Sequence, residues 1–508
     1  NVSVENRSCQ PPTMTISEPP PEASVEQQVA DDHRPPPPAG GLDRLTIYAA
    51  VWAVTSLFHL ISFGVWVTEP VGIALFAATV TLLLNPRSAT ALCAAAAVNA
   101  VYIFLRSPNT ANHILFDGVV NLTVVLVLLP KLLARGPLDR DDVFERLGLP
   151  LRAFLLVLYF FAVLHKLNRD FFDPDVTAAG ELLRQLKERF AFVPTGEAVI
   201  FANAVFTIVI ETAIPVCLFF KRTRPIGLLA GLAFHFVLAL HPHQGLFSFT
   251  SMLFLLYLFF LPADFDRRLS SWAAASPIVL KGLTLFGLMR RRLVTLLVVG
   301  AVAGGLAAAA VLVSGVDLKS FRRLALVVGV IAWVPWGVAV VTAYIGVLKT
   351  VPETAPRPTP WRWRPVLLLP ALMTVFYFSP YFGFGTTRVL SMFSNLRTEG
   401  PEPNHLFIPQ ALRLTDRFQD DFTYVAETND YRIDRHTNTG APLPWFEFRR
   451  LAYEADRPFI ATYERAGERH TVEAGPGDPL PFPRPHFLAT KVLSFRPVDV
   501  TGPAKSRW

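Results

Sequence analysis

Long runs of apolar residues with almost no charge dominate the chain up to residue 380. They occupy 45–67, 71–84, 89–105, 113–133, 150–166, 197–220, 225–241, 246–262, 293–314, 324–347 and 366–379. An α-helix needs about 20 apolar residues to cross a bilayer. Most of the runs come close to that length; the 71–84 run is short and reads as re-entrant. The pattern predicts a mainly α fold, a polytopic transmembrane helix bundle of about 9–11 spans. From residue 380 the pattern changes. Charge rises, and Pro, Asn and aromatic residues separate short alternating runs. Residues 457–475 alternate on either side of Ala466-Gly467, as the strands of a β-hairpin do. Four regions follow: 1–41, rich in Pro, Glu, Gln and Ser, a disordered tail; 42–265, a transmembrane core; 266–379, additional transmembrane helices; and 380–508, a small soluble C-terminal domain containing β structure.

Composition agrees with a membrane protein. Of 508 residues, 52% are hydrophobic and 17% charged, against about 25% charged in soluble domains. That excludes a soluble enzyme, a disordered protein and a disulfide scaffold. Cys9 lies in the tail, and Cys93 and Cys217 lie in apolar runs, so neither a disulfide framework nor a cysteine metal site is implied. The net charge of +7 points to basic cytoplasmic loops, not to nucleic acid. No segment reads as a secretory signal, and a chain opening on Asn1 has its start either missing or at Met14. With the N-terminus inside, one set of loops, including Lys131, Arg140, Arg146, Arg224 and Arg290 to Arg292, is much the richer in Lys and Arg. The loop at 315–323 dissents. Eleven spans then put the C-terminal domain outside, and one miscounted span reverses that.

Polar groups inside spans are costly and mark candidate sites. His113, Asp117 and Asn121 are spaced i, i+4, i+8 and share a helix face, as do Asn203, Thr207 and Glu211. Tyr159 and Lys166, seven apart, also share one. His235 lies within a span, and His241 and His243 follow it. His113, Lys166, His241 and His243 all fall at one membrane level in this topology. Each has a plainer reading: Lys166 snorkelling to headgroups, His235 as a packing residue, Glu211 as protonated helix glue, and His241 and His243 as a wet loop. Gly227 and Gly231 form a GxxxG pair, weak evidence of helix contact by itself.

The segment YFFAVLHKLNRDFFDP (159–174) resembles the part of vitamin K-dependent gamma-glutamyl carboxylases that carries the catalytic lysine, and the bacterial HTTM (horizontally transferred transmembrane) domain built on the same core. Asn112-His113 is similar to the family's Asn-His. RPIGLLAGLAFH (224–235), LFSFTSM (246–252) and SPYFGFGTTRVLSMFSNLRTEG (379–400) resemble further family blocks in the same order. The likeness covers roughly 42–265 and 366–420.

The resemblance implies a chemistry. A neutral lysine amine deprotonates vitamin K hydroquinone, the anion reacts with O2, and a strong base forms. That base takes a γ-proton from a protein glutamate, CO2 adds, and the quinone leaves as an epoxide. Lys166 matches the catalytic lysine and His113 the histidine of the oxygenation step. Asp117, Tyr159, Glu211 and His235 would orient or polarise. Removal from water favours the neutral amine that such a base requires. The implied cofactor is reduced vitamin K or menaquinone, with O2 and CO2 and no metal. The implied partners are membrane lipid, quinone and a glutamate-bearing protein or peptide, and no nucleic acid. The implied place is a bacterial plasma membrane, with the site and the C-terminal domain on the outer face. The larger lumenal domain and propeptide groove of the animal enzymes have no counterpart, so the likeness supports quinone chemistry better than carboxylation. A proton-coupled transporter or channel and a non-catalytic scaffold are the competing readings. The enzyme reading expects Lys166 and His113 to face one cavity, the transporter a continuous polar route, and the scaffold a Lys166 turned to the headgroups.

Overall fold

The computed structural model describes residues 42–277 apart from 64–68, 135 and 242–244, and residues 318–505 apart from 351–364, 438–439 and 456, with single positions between. The expected tail (1–41), nearly all of the apolar segment 293–314, and His243 lie outside the described residues.

The chain is an integral multi-pass membrane protein built mainly of helices. The described α-helices up to residue 377 are α1 (Arg44–Phe63), α2 (Pro70–Leu84), α3 (Ala89–Arg106), α4 (Asn112–Leu133), α5 (Arg140–Leu164), α6 (Ala178–Arg189), α7 (Glu197–Phe219), α8 (Arg224–Ala239), α9 (Leu246–Tyr257), α10 (Phe265–Ala275), α11 (Leu318–Lys349) and α12 (Leu368–Tyr377). Among the described residues six helices are long and apolar enough to cross a membrane: α1, α3, α4, α5, α7 and α11. α2, α8 and α12 are shorter apolar helices. α9 runs on through a 3-10 turn and bends by 107° into α10. Proline starts help to set these shorter lengths: Pro70 opens α2, and Pro225 sits in the first turn of α8. Hydropathy alone therefore finds the segments without deciding which of them cross.

Burial orders the bundle. α9 is buried along nearly its whole length, whereas α7 leaves Phe201, Phe206, Val209 and Val216 exposed at the periphery. The GxxxG pair makes two close approaches. A Cβ on Gly227 would meet Cys217 Cβ and Leu218 N, each at 2.9 Å, and Ile214 O at 3.0 Å, so α7 and α8 touch backbone to backbone. Gly231 lies against the Tyr257 ring. The two ends of the bundle carry different groups. At the start of α5, Arg44 pairs with Asp141 and Glu145, Arg140 with Asp43, and Lys131 and Arg146 with Asp142. The far end of α5, about 37 Å away for 25 residues, carries Lys166.

The C-terminal region packs on that far end. Its antiparallel sheet has the order β2-β1-β3-β4, with β1 (Phe422–Thr428), β2 (Leu443–Pro444), β3 (Phe459–Arg465) and β4 (Glu468–Ala474). The expected hairpin is present. Phe459 faces Ala474 and Arg465 faces Glu468, across a two-residue turn with φ of 53° at Ala466 and 79° at Gly467; paired positive φ values suit the twist of a tight hairpin. Phe459, Ala461 and Tyr463 alternate inward against Phe448 of α13's successor α14 (Trp445–Glu454), α13 being Tyr431–Thr437.

Asparagines fix the join. Asn168 Nδ2 donates to His165 O (2.8 Å) and Ser394 O (2.5 Å), while its Oδ1 accepts from Phe171 N. Asn404 Nδ2 donates to Asp170 and to Asn395 O, each at 2.7 Å. Asn112 Oδ1 accepts from Leu390 N. His405 Nε2 donates to Leu164 O, the end of α5, and its Nδ1 accepts from Phe407 N and Ile408 N. Residues Leu42–Trp508 consequently form one compact unit.

Two outcomes follow. Alanine at Gly227 meets backbone that cannot move aside, so Gly227→Ala should lose about 1–3 kcal/mol, read by thermal denaturation in detergent. Burial holds His405 below its ordinary pKa, and its two acceptor contacts at Nδ1 require the neutral ring. The unfolded state then binds more protons as pH falls below about 6.5, so this stabilisation is present above that pH and lost beneath it. His405→Gln should flatten the decline in Tm between about pH 7.5 and 5.5; curves running parallel to the parent's would contradict the assignment.

Candidate functional site

Lys166 sits two residues beyond the end of α5, yet the residue is only 6% exposed. Side chains on a helix lean toward the N-terminus, so at this end the lean carries Lys166 back into the bundle and not out to headgroups. Its Nζ donates to Ala162 O at 3.1 Å and to Glu211 Oε2 at 2.7 Å. Glu211 comes from α7, the lipid-facing helix. Of its expected face-mates, Asn203 Nδ2 instead tethers Ala179 O of α6, and Thr207 bonds back to Asn203 O.

Beside the pair runs a short relay. Tyr159 OH lies 2.7 Å from His235 Nε2 and 2.5 Å from Tyr257 OH. Gly231 is what lets the Tyr257 ring come this close to α8, since a Cβ there would overlap the phenol. His235 Nδ1 is buried and has no hydrogen-bond partner among the described residues. Pair and relay share α5 and the turn after it, which supply Lys166 to one and Tyr159 to the other. Tyr159 and Lys166 thus meet in one cluster, as their spacing implies, with Glu211 and His235 added from α7 and α8.

His113 and Asp117 belong to a second cluster. Asp117 Oδ2 lies 3.4 Å from His59 Nδ1 and accepts from Asn121 Nδ2 at 3.0 Å. Asn121 is held in turn by Asn99 Oδ1 (3.0 Å) and Trp52 Nε1 (2.6 Å). His113 Nε2 lies 3.4 Å from Ser248 Oγ, and its ring is 6.0 Å from that of His59. Phe249 joins the clusters edge-on, with ring centroids 5.6 Å from His113 and 5.7 Å from His235. The two imidazoles are therefore at most about 11 Å apart.

A cavity of about 1230 Å³ lies between this end of the bundle and the C-terminal region, with His113, Ser62 and Leu246 among its lining residues. Lys166 is not among them. The single shared cavity expected for Lys166 and His113 is thus replaced by two adjoining clusters, of which the His113 cluster meets the polar cavity. His241 serves the same end differently, its Nε2 donating to Leu182 O at 2.9 Å.

Sequence reasoning missed His59, Asn99, Trp52 and Tyr257. His59 carried a usable signal, an ionisable residue inside the 45–67 run. Tyr257 carried none, being one aromatic among many in its segment.

Removing one partner of a buried ion pair leaves the other charge without compensation, at a cost of about 3–5 kcal/mol. Glu211→Ala should accordingly lower thermal stability strongly. A Lys166→Met/Glu211→Met double variant should regain most of the loss, and a double variant no better than the single would contradict the pair's role.

No curated protein and no solved structure matches the chain. The HTTM domain is found in vitamin K-dependent carboxylase-like membrane proteins. The family model of the HTTM domain matches residues 139–264, the stretch that supplies Tyr159, Lys166, Glu211, His235 and Tyr257 and leaves His59, His113 and Asp117 outside it.

Proposed function

We propose that this protein is a membrane enzyme that activates a reduced quinone with oxygen, with Lys166 as the base and His113 assisting. The observation that carries the reading is the Lys166–Glu211 pair beside the Tyr159–His235–Tyr257 relay, all within the HTTM-matched stretch. The residues fit a ligand that offers a hydroxyl or carbonyl oxygen. Lys166 and the unpartnered Nδ1 of His235 are polar groups held among apolar and aromatic side chains, and α7 offers apolar surface on the lipid side. When bound, a reduced naphthoquinone such as menaquinone or vitamin K hydroquinone would supply all four electrons that reduce O2, one oxygen atom ending in its epoxide and the other in water.

The protein's part is to move and hold protons. Transfer of the ammonium proton along the 2.7 Å contact from Lys166 Nζ to Glu211 Oε2 leaves a neutral amine beside a carboxylic acid. That amine can take the hydroxyl proton of the ligand. Tyr159 and His235 can hold or pass a second proton, with Tyr257 fixing the orientation of the phenol. Phe249 and the buried α9 keep water from the reacting atoms. His113, at the edge of the cavity, is the group nearest a carbon acid arriving from the polar side. Carboxylation of a glutamate-bearing peptide with CO2 is the finer form of this proposal. The Arg44–Lys131–Arg140 end lies opposite the site, which supports an outer-face site under the positive-inside rule.

The test is epoxide formation by purified protein in nanodiscs given reduced menaquinone or vitamin K hydroquinone and O2. The parent should form epoxide, Lys166→Ala should lose at least about 100-fold, and Tyr159→Phe should lose less. A well-folded parent that forms no epoxide from any of several quinones would contradict the proposal.

A further inference from the structure

The large cavity has features that the quinone chemistry does not use. Seven of its lining residues are basic and three acidic. Two of the acids are already matched within the lining, Glu447 by Arg450 (2.5 Å) and Glu181 by Arg184 (3.5 Å). Of the other basic residues, Arg106 pairs with Glu69 (3.3 Å), Arg432 with Asp430 (2.9 Å) and Arg496 with Glu399 (3.9 Å), so that Arg388 and Lys505 are the lining cations that form no ion pair with a carboxylate among the described residues, in a concave site with low-dielectric walls that focus the field.

One segment of the lining, Thr386-Thr387-Arg388, stands out. Arg388 is 2% exposed. Its two terminal nitrogens donate to Ser107 Oγ and to the carbonyls of Lys491 and Val492, which are neutral groups that fix the guanidinium without cancelling its charge. Among the described residues its Nε has no hydrogen-bond partner, and neither do the hydroxyls of Thr386 and Thr387. Three donors are thus left over on consecutive residues that line one cavity, although unsatisfied buried polar groups are otherwise rare and costly. The backbone here is also held in an uncommon shape, with φ of 63° at Arg388, 62° at Leu390 and 57° at Phe393. The Asn112–Leu390 bond and the Asn395 and Asn404 bonds keep it there. Such conformations cost free energy and persist only where the surroundings enforce them.

We propose that this cavity binds an oxyanion, a phosphate or carboxylate group, seated on Arg388 and on the hydroxyls of Thr386 and Thr387. The chemistry follows from the donor set. A guanidinium N–H beside two hydroxyls presents donors to a group with several acceptor oxygens and offers little to a cation or an apolar body. The volume exceeds that of a small ion, so the oxyanion is one end of a larger ligand. A soluble phosphorylated or carboxylated molecule and the headgroup of an anionic lipid share this chemistry. Burial lowers Arg388 to about 10, which leaves it charged across the neutral range. The inference does not depend on quinone oxidation, and its readout is binding.

The experiment uses the full chain in nanodiscs, with Tm as the readout at constant ionic strength. In zwitterionic phosphatidylcholine discs, sodium pyrophosphate should raise Tm saturably if the ligand is soluble, by the linkage between binding and stability. In discs containing phosphatidylglycerol, Tm should rise without pyrophosphate if a lipid headgroup fills the site. Either result supports the proposal when Arg388→Gln abolishes it. Because Arg388 also joins Ser107 to the C-terminal segment, a Thr386→Val/Thr387→Val variant, which keeps those bonds, is the second test. Its apparent affinity should fall about tenfold or more. No shift in either arm with a folded parent, or a shift unchanged in the double valine variant, would overturn the proposal.

Discussion

A charged pair sealed into an apolar bundle is the constraint on which the rest of the site depends. Taking Lys166 and Glu211 out of water costs several kcal/mol per ion, and their attraction offsets this only where the geometry is good and the remaining polar valences are met. The 2.7 Å contact and the second bond to Ala162 O provide that geometry. Lys166 can keep it only while the end of α5 stays fixed. Asn168, Asn404 and His405 fix it from the C-terminal side, which gives the extramembrane region a direct part in placing a group within the bundle.

The close approaches on the other side serve the same site. Gly227 brings α8 against the backbone of α7, and Gly231 admits Tyr257 to Tyr159. Through these contacts α5, α7, α8 and α9 each contribute to one cluster, while α1 and α4 build the neighbouring His59–Asp117–His113 group. Phe249 is the side chain between them. The arrangement separates the Lys166 cluster from the cavity that His113 lines, with the His113 and His235 rings at most about 11 Å apart.

Much of this was legible in the sequence where the signal is local. Helical spacing placed His113, Asp117 and Asn121 on one buried face, and alternation located the β3–β4 hairpin with its turn at Ala466-Gly467. Spacing could not show that Lys166 turns inward, because the preference for snorkelling competes with the lean of helix side chains, and tertiary pairing with Glu211 decided the matter. Nor could it show that Asn203 and Thr207 bond elsewhere while Glu211 alone enters the site. His59 was accessible to the same rule that flagged His235. The tie from Asn168 to Ser394, across 226 residues, left no local trace, whereas the short apolar run at 71–84 already marked the short helix Pro70–Leu84.

The central claim is that the Lys166–Glu211 cluster is where a reduced quinone reacts. A structure of the protein in nanodiscs with a bound, non-reactive naphthohydroquinone analogue tests it most directly. The account predicts a ring oxygen within hydrogen-bond distance of Lys166 Nζ, with His235 Nδ1 or Tyr159 also engaged. A ring bound elsewhere, with the Lys166–Glu211 contact unchanged and no ligand atom near it, would contradict the account.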